Sequence, residues 1–217
     1  MSGKYVTETI GTDAHEITRA ARILRDGGLV AVPTETVYGL AARADNDKAV
    51  SRIYRAKGRP DFNPLIVHVA SLELARKLAD FSNVAEKLAA EHWPGPLTLV
   101  LPRRQDAGLA EAVTAGLETV AIRMPSHAVM RALLENSGLP IAAPSANRSG
   151  FISPTSTAHV LASLDGRIDA VIDGGVCEQG LESTIAAVRA DGSVVVLRPG
   201  PILLMASAAD GKNIEAP

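Results

Sequence analysis

Short apolar runs recur along this chain, and each empties into a turn rich in hydroxyl, amide or cationic side chains. LVAVP (residues 29–33) leads into PTETVYGL, PLIVHVA (64–70) carries His68 near its end, and TVAIRMP (119–125) delivers Arg123. LTLVLP (97–102) is fed by Pro94-Gly95-Pro96, PIAA (140–143) opens into PSANRSG, and DAVID (169–173) runs into Gly174-Gly175. Between these runs lie stretches whose apolar residues repeat at helical spacing. Strands that alternate with helices in this way restrict a chain to the α/β class. A pair of runs on either side of Gly192, over 184–197, reads as a hairpin, so the sheet is expected to be mixed.

The helical stretches carry their own punctuation. Asp13 is placed to cap a helix with Ile17, Ala20, Ala21 and Leu24 on one face, stopped by Gly27-Gly28. PTETVYGL reads as the turn after the first strand, with Gly39 allowing a tight backbone. Asp47 is expected to start the next helix, which buries Val50, Ile53 and Tyr54, leaves Arg52, Arg55 and Lys57 on its other faces, and ends at Gly58. Two scaffold helices are expected over 71–81 and 83–93, the second opened by a capping-box pair, Asn83 and Glu86. QDAGLAEAVTAGLE holds at most a short helix, Ser126 is the expected cap of a helix ending at Gly138, and another helix covers about 155–164.

The 217 residues, 47% of them hydrophobic, suffice for one sizeable core. The chain reads as a single domain over 1–201 with a short alanine-rich tail over 202–217. A formal net charge of -2 means that any affinity for an anion has to come from local clustering. Aromatic residues make up only 3%, which leaves little for stacking nucleic-acid bases and limits expected RNA binding to a weak contribution. Cys177 is the only cysteine, so no internal disulfide or multi-thiolate metal site is available, and a reducing cytoplasm is the expected location. No stretch approaches the ~20 apolar residues of a membrane helix, and the N-terminus has no apolar segment of signal-peptide type.

Clustering of the required kind is visible in residues 32–68. That stretch gathers Thr34, Thr36, Lys57, Arg59, Asn63 and His68 near the ends of two strands, and Lys57 and Arg59 flank the glycine that terminates a helix. Hydroxyls and cations brought together where strands end suit a small anion. Arg123 ends an otherwise apolar strand. Its guanidinium cannot be neutralised, so it needs a partner, which a bound carboxylate or phosphate would supply. In PSANRSG, the small and hydroxylic Ser145, Asn147, Ser149 and Gly150 leave backbone amides open to an anion. The turn is not a Walker loop, and GxGxxG is absent.

Taken in order, VPTETVYGL, AKGRP with NPLIVHV, the Arg123 strand, PSANRSG, EST and LRPG resemble the YrdC-like family of threonylcarbamoyl-adenylate synthases over about residues 15–201. The resemblance implies a twisted mixed sheet flanked by helices around a deep, positively charged cavity. It implies a nucleotidyltransferase that joins L-threonine, bicarbonate and ATP into threonylcarbamoyl-AMP and releases pyrophosphate, with Mg²⁺ brought by the ATP. The product would pass to a tRNA threonylcarbamoyl transferase complex, for modification of an adenosine next to the anticodon. By motif position, Thr36, His68, Arg123, Ala143 and Ser183 match residues that hold threonine. Arg59, Asn63, Thr119, Ser145, Ser153 and Arg198 match nucleotide contacts, and Lys57 and Arg59 form the basic pair expected at the reacting phosphates. No resident metal site is implied. The longer members carry a further domain that folds over the cavity.

Overall fold

The structure is a computed structural model, and it describes residues 6–204. In chain order the elements are β1 (Glu8–Ile10), α1 (Ala14–Arg25), β2 (Val30–Val32), β3 (Gly39–Arg43), α2 (Asp47–Lys57), β4 (Ile66–His68), α3 (Leu72–Leu78) and α4 (Asn83–His92). There follow β5 (Leu97–Pro102), α5 (Glu111–Thr114), β6 (Thr119–Arg123), α6 (Ala128–Ser137), β7 (Ile141–Ala142), α7 (Thr157–Leu164), β8 (Ala170–Ile172), β9 (Thr184–Val188) and β10 (Val194–Arg198). The strands make one open, twisted sheet of ten in the order β1-β8-β2-β3-β7-β4-β6-β5-β9-β10. Pairing is parallel at β1/β8, β2/β8, β4/β6 and β5/β9 and antiparallel elsewhere, so the sheet is mixed as expected.

The two faces of the sheet can be read from strand periodicity. Val30 and Val32 of β2 join one apolar cluster while Ala31 joins the other, and Ala170 and Ile172 of β8 separate from Val171 in the same way. Successive side chains on a strand point to opposite faces, so a sheet covered on both sides must be apolar at every position. One face is covered by α1 and α6, through Ile17, Ala20, Leu24, Met130, Leu133 and Leu134. The other is covered by α2, α3, α4 and α7, through Val50, Ile53, Ala75, Leu78, Ala85, Ala89, Val160 and Leu164. Each fully buried Leu or Ile contributes on the order of 1.5–3 kcal/mol by leaving water.

Three caps differ from the expected ones by a single residue. Asn46, not Asp47, caps α2: its backbone is extended, at φ -134° and ψ 111°, and its side chain accepts from the Ala49 amide. Asp47 is already helical and serves instead as first-turn acid against the helix dipole. Ser82, not Asn83, caps α4 by accepting from Ala85. His127, not Ser126, caps α6, its Nδ1 accepting from Val129 at 3.3 Å.

Two strands arise where no apolar run announces them. The β3 strand, GLAAR, is short of β-branched and aromatic residues, yet it lies between β2 and β7 near the middle of the sheet. Its small side chains allow close packing: a Cβ added at Gly39 would stand 3.3 Å from the Ala143 Cβ. At the edge, β1 pairs with β8 and has one buried residue, Ile10. The tail expected over 202–217 lies outside the described residues from 205 onward. Ile202 exchanges hydrogen bonds with the Thr184 hydroxyl and packs, with Leu204, against the core. Among the described residues no helix is long and apolar enough to cross a membrane.

Candidate active site

Strand ends bring together the side chains that sequence reading singled out. His68 ends β4 and Arg123 ends β6, and the two stand directly opposite in the parallel ladder. Thr36 comes from the turn between β2 and β3, Ala143 and Ser145 follow β7, Ser183 precedes β9, and Arg198 ends β10. A register irregularity between Val196 and Arg198 sends the Leu197 side chain outward, 58% exposed, and brings Arg198 opposite Ile185. Such bulges re-aim a side chain at a strand end. The turn beyond Arg198 lies tight against the next segment: a Cβ at Gly200 would fall 2.5 Å from the Thr184 nitrogen and 2.6 Å from the Glu182 carbonyl oxygen. Arg59 leaves α2 through Gly58, in the left-handed region at φ 59°.

Thr36, Arg59, His68, Arg123, Ala143, Ser145, Ser183 and Arg198 all line one cavity of about 160 Å³. Pockets for drug-sized ligands run ~300–1,000 Å³. A cleft of this volume suits a ligand the size of an amino acid, and a larger molecule has to extend over its open mouth. Four expected site residues, Lys57, Asn63, Thr119 and Ser153, are not among those that line it. Thr119 sits at the far end of β6 from Arg123, roughly 13 Å along the strand. Asn63 gives its carbonyl to the Tyr54 hydroxyl at 2.9 Å, and Ser153 reaches the cavity wall through Glu182.

Arg123 already has a protein partner, which corrects the expectation that a ligand must supply one. Its guanidinium pairs with the Glu35 carboxylate at 2.7 Å, donates to Thr36 Oγ1 at 3.0 Å, and donates through Nε to the Gly95 carbonyl at 3.2 Å. Arg123 and Glu35 are each 4% exposed. Burial alone would raise the Glu35 pKa, but the adjacent charge of Arg123 overcomes it and holds the carboxyl below its usual range. Of its five N–H donors, those hydrogen-bonded are the two given to Thr36 and Gly95, while Nη2 meets Glu35 as an ion pair without a hydrogen bond, so N–H groups remain for a ligand. Glu35 was missed in the sequence, although it stands inside the PTET turn.

Lys57 also departs from its expected place. It is 2% exposed and is turned beneath the 145–149 loop, where Nζ donates to the Ser145 carbonyl and, at 2.5 Å, to the Asn147 carbonyl. Burial and the nearby Arg59 lower its pKa to about 7. Its aliphatic stem lets a residue at the helix end reach under the neighbouring loop. Lys57 therefore fixes the loop that presents Ser145 and does not itself face the cavity.

Near the mouth, Glu182 forms an ion pair with Arg198 and accepts from the Ser153 hydroxyl at 2.6 Å. Arg198 also donates to the Ser183 carbonyl and hydroxyl, both at 3.0 Å. Ser183 Oγ lies 2.8 Å from Thr98 Oγ1. Glu182 is the second functional-site residue absent from the sequence reading. Its position next to Ser183, within a site holding three arginines, was the available signal.

His68 is 2% exposed, lines the cavity, and has no partner for Nδ1. Burial, and then the Arg123 charge, lower its pKa to about 3, so the ring is neutral at pH 7. Because the folded-state value lies below the ordinary 6.5, the unfolded chain binds the extra proton first. Stability is accordingly lost as pH falls from about 6.5 toward 3, with a limiting slope of about 1.4 kcal/mol per pH unit from this group. Urea unfolding of the wild type and His68→Asn at pH 7 and 5 should show a smaller acid loss in the variant; equal losses would remove His68 as the source.

Comparison with known proteins bears on this site. A family model for Sua5, YciO and YrdC, described as telomere recombination, matches residues 22–200. A Bacillus subtilis protein named threonylcarbamoyl-AMP synthase is 53% identical over 198 residues, covering 91% of this chain and 57% of that protein. A solved structure of Pyrococcus abyssi Sua5 complexed with L-threonine superposes with a TM-score of 0.85 at 48% identity, over 90% of this chain and 57% of that one. Escherichia coli YciO superposes with a TM-score of 0.79 at 26% identity, over 90% of this chain and 95% of that one. The chain thus spans a little over half the length of the synthases it matches.

Proposed function

The chain belongs to the Sua5/YciO/YrdC family, and on that premise we propose that it makes threonylcarbamoyl-AMP from L-threonine, bicarbonate and ATP, releasing pyrophosphate. The observation that carries this reading is the convergence of Thr36, His68, Arg123, Ala143 and Ser183 with Arg59, Ser145 and Arg198 around one amino-acid-sized cavity. Relatives that bear the synthase name support it, as does the threonine complex of the P. abyssi protein.

In this reading the free N–H groups of Arg123 take the threonine carboxylate, and Thr36, Ser183 and neutral His68 orient its hydroxyl and amine. The unprotonated amine adds to bicarbonate-derived carbon dioxide, giving a carbamate and releasing a proton. A carbamate oxygen then attacks the α-phosphorus and pyrophosphate leaves, so no protein nucleophile is required. Arg59, whose buried Nε has no partner, and Arg198 receive phosphate charge. Ser145, positioned by Lys57, completes the nucleotide side within the cavity, while Asn63, Thr119 and Ser153, which do not line it, would meet only the part of ATP that extends past the mouth. Mg²⁺, brought by ATP, would offset phosphate charge there; Glu182 is the one carboxylate among the lining residues, and its oxygens are already engaged by Arg198 and Ser153. The product passes to a tRNA threonylcarbamoyl transferase complex. A cytoplasmic setting goes with this role and with Cys177, a free and buried thiol.

The test is pyrophosphate release from the purified protein with ATP, Mg²⁺, bicarbonate and threonine, each omitted in turn. Release that needs both threonine and bicarbonate is expected. Release that continues without threonine would point to a different acceptor and overturn the assignment.

A further inference from the structure

Two arginine–glutamate pairs, each contributing an arginine to the cavity wall, differ in their surroundings. In the Arg123–Glu35 pair both side chains are 5% exposed, and Glu35 does not line the cavity. In the Arg198–Glu182 pair the side chains are 33% and 34% exposed, and both residues line it. A fully desolvated pair resists separation because either charge would be left without water, whereas a carboxylate one-third exposed can swing into solvent at small cost. The first pair is therefore fixed, and the second is replaceable.

What Glu182 occupies is informative. Its two oxygens engage Arg198 and the Ser153 hydroxyl, the latter at 2.6 Å. A cation and a hydroxyl converging on two oxygens of one anion is also how a phosphate is held. With Nε and one terminal nitrogen of Arg198 committed to Ser183, its other terminal nitrogen is the one given to Glu182. Arg198 keeps further N–H groups, but a phosphate that is to take both this nitrogen and the Ser153 hydroxyl must compete with the tethered carboxylate that spans them.

Resting on the proposed reading of Arg198 and Ser153 as nucleotide contacts, we infer that Glu182 is a tethered stand-in for phosphate that sets how tightly the site holds anions. It keeps Arg198 aimed and neutralised while the site is empty, yields when a polyphosphate arrives, and returns to help expel pyrophosphate. Affinity is given up in exchange for release. Removing the carboxylate should then strengthen anion binding, a gain that damage to the fold would not produce.

The experiment is calorimetric titration of the full chain with inorganic pyrophosphate and with Mg·ATP, in the absence of threonine, for the wild type, Glu182→Gln and Glu182→Asp. Glu182→Gln is expected to bind both about tenfold more tightly. Glu182→Asp, whose shorter arm cannot span Arg198 and Ser153 together, should fall between; it decides the matter if the Gln protein does not fold. Wild-type binding that is unchanged or weakened in the variants would overturn the role of Glu182 and leave the synthase reading standing; weakening confined to Mg·ATP would make it a cation contact instead. A wild type that binds neither probe would overturn the nucleotide reading itself, and this inference with it.

Discussion

Replacing Arg123 by lysine is expected to raise the dissociation constant for L-threonine about 30- to 900-fold, equivalent to about 2–4 kcal/mol. Lysine keeps a positive charge beside Glu35 but cannot reproduce the planar fork. Arg123 already pairs with Glu35 and donates to Thr36 and the Gly95 carbonyl, and it still has N–H groups left for a ligand. One ammonium cannot serve all of these directions at once, so the variant has to abandon either the ligand or its own supports. The loss of support at Thr36 matters separately, because the same hydroxyl lies within 2.8 Å of Thr34 Oγ1 and belongs to the turn that shapes the wall. Calorimetric titration with threonine, on protein whose unfolding transition is still cooperative, checks the prediction. A change of less than threefold would remove Arg123 from threonine recognition.

Which features could be read in advance follows from the range over which each is determined. The α/β class, the mixed sheet and most helices are local matters of apolar period and turn chemistry, and they appear where expected. The β3 strand does not, because GLAAR has weak intrinsic preference and becomes a strand only when β2 and β7 pair with it on both sides. Strand-end placement transferred only in part: in a mixed sheet antiparallel neighbours end at opposite rims, and His68, Arg123 and Arg198 meet because β4 and β6 are parallel and β10, two reversals away through β5 and β9, runs the same way.

Partner choice did not transfer. Reading Arg123 in isolation showed that it needs an anion but not which one, since Glu35 lies 88 residues earlier and meets it only through the sheet order. The same applies to Lys57, whose acceptors, Ser145 and Asn147, belong to a distant loop. Long, flexible charged side chains are the ones whose destinations spacing predicts least well. Rigid small residues such as Thr36 and Ala143 stayed where the backbone put them.

The second large effect concerns the stability of the Arg123–Glu35 pair. Glu35→Leu should lower the unfolding free energy by about 3–5 kcal/mol, because Arg123 at 4% exposure would be left as an uncompensated buried charge. For a chain of this size that corresponds to a fall in Tm of roughly 6–20 °C. Glu35→Leu/Arg123→Leu should recover most of the loss, since exchanging a buried ion pair for apolar side chains is often neutral in stability. Recovery would not be complete: the His127 amide, which donates to Glu35 at 3.4 Å, and the Gly95 carbonyl would both be left without their partners. The wild type carries the matching pH signature. Glu35 has its pKa depressed in the fold, so its stabilisation is present above the ordinary carboxylate value and is lost as pH falls through the folded one. Urea unfolding of the two variants and the wild type at pH 7 measures the cycle. If the double variant were as unstable as Glu35→Leu alone, the buried charge would not be the cause, and the pair's contribution would lie in the hydrogen bonds that tie β6 to the start of α6.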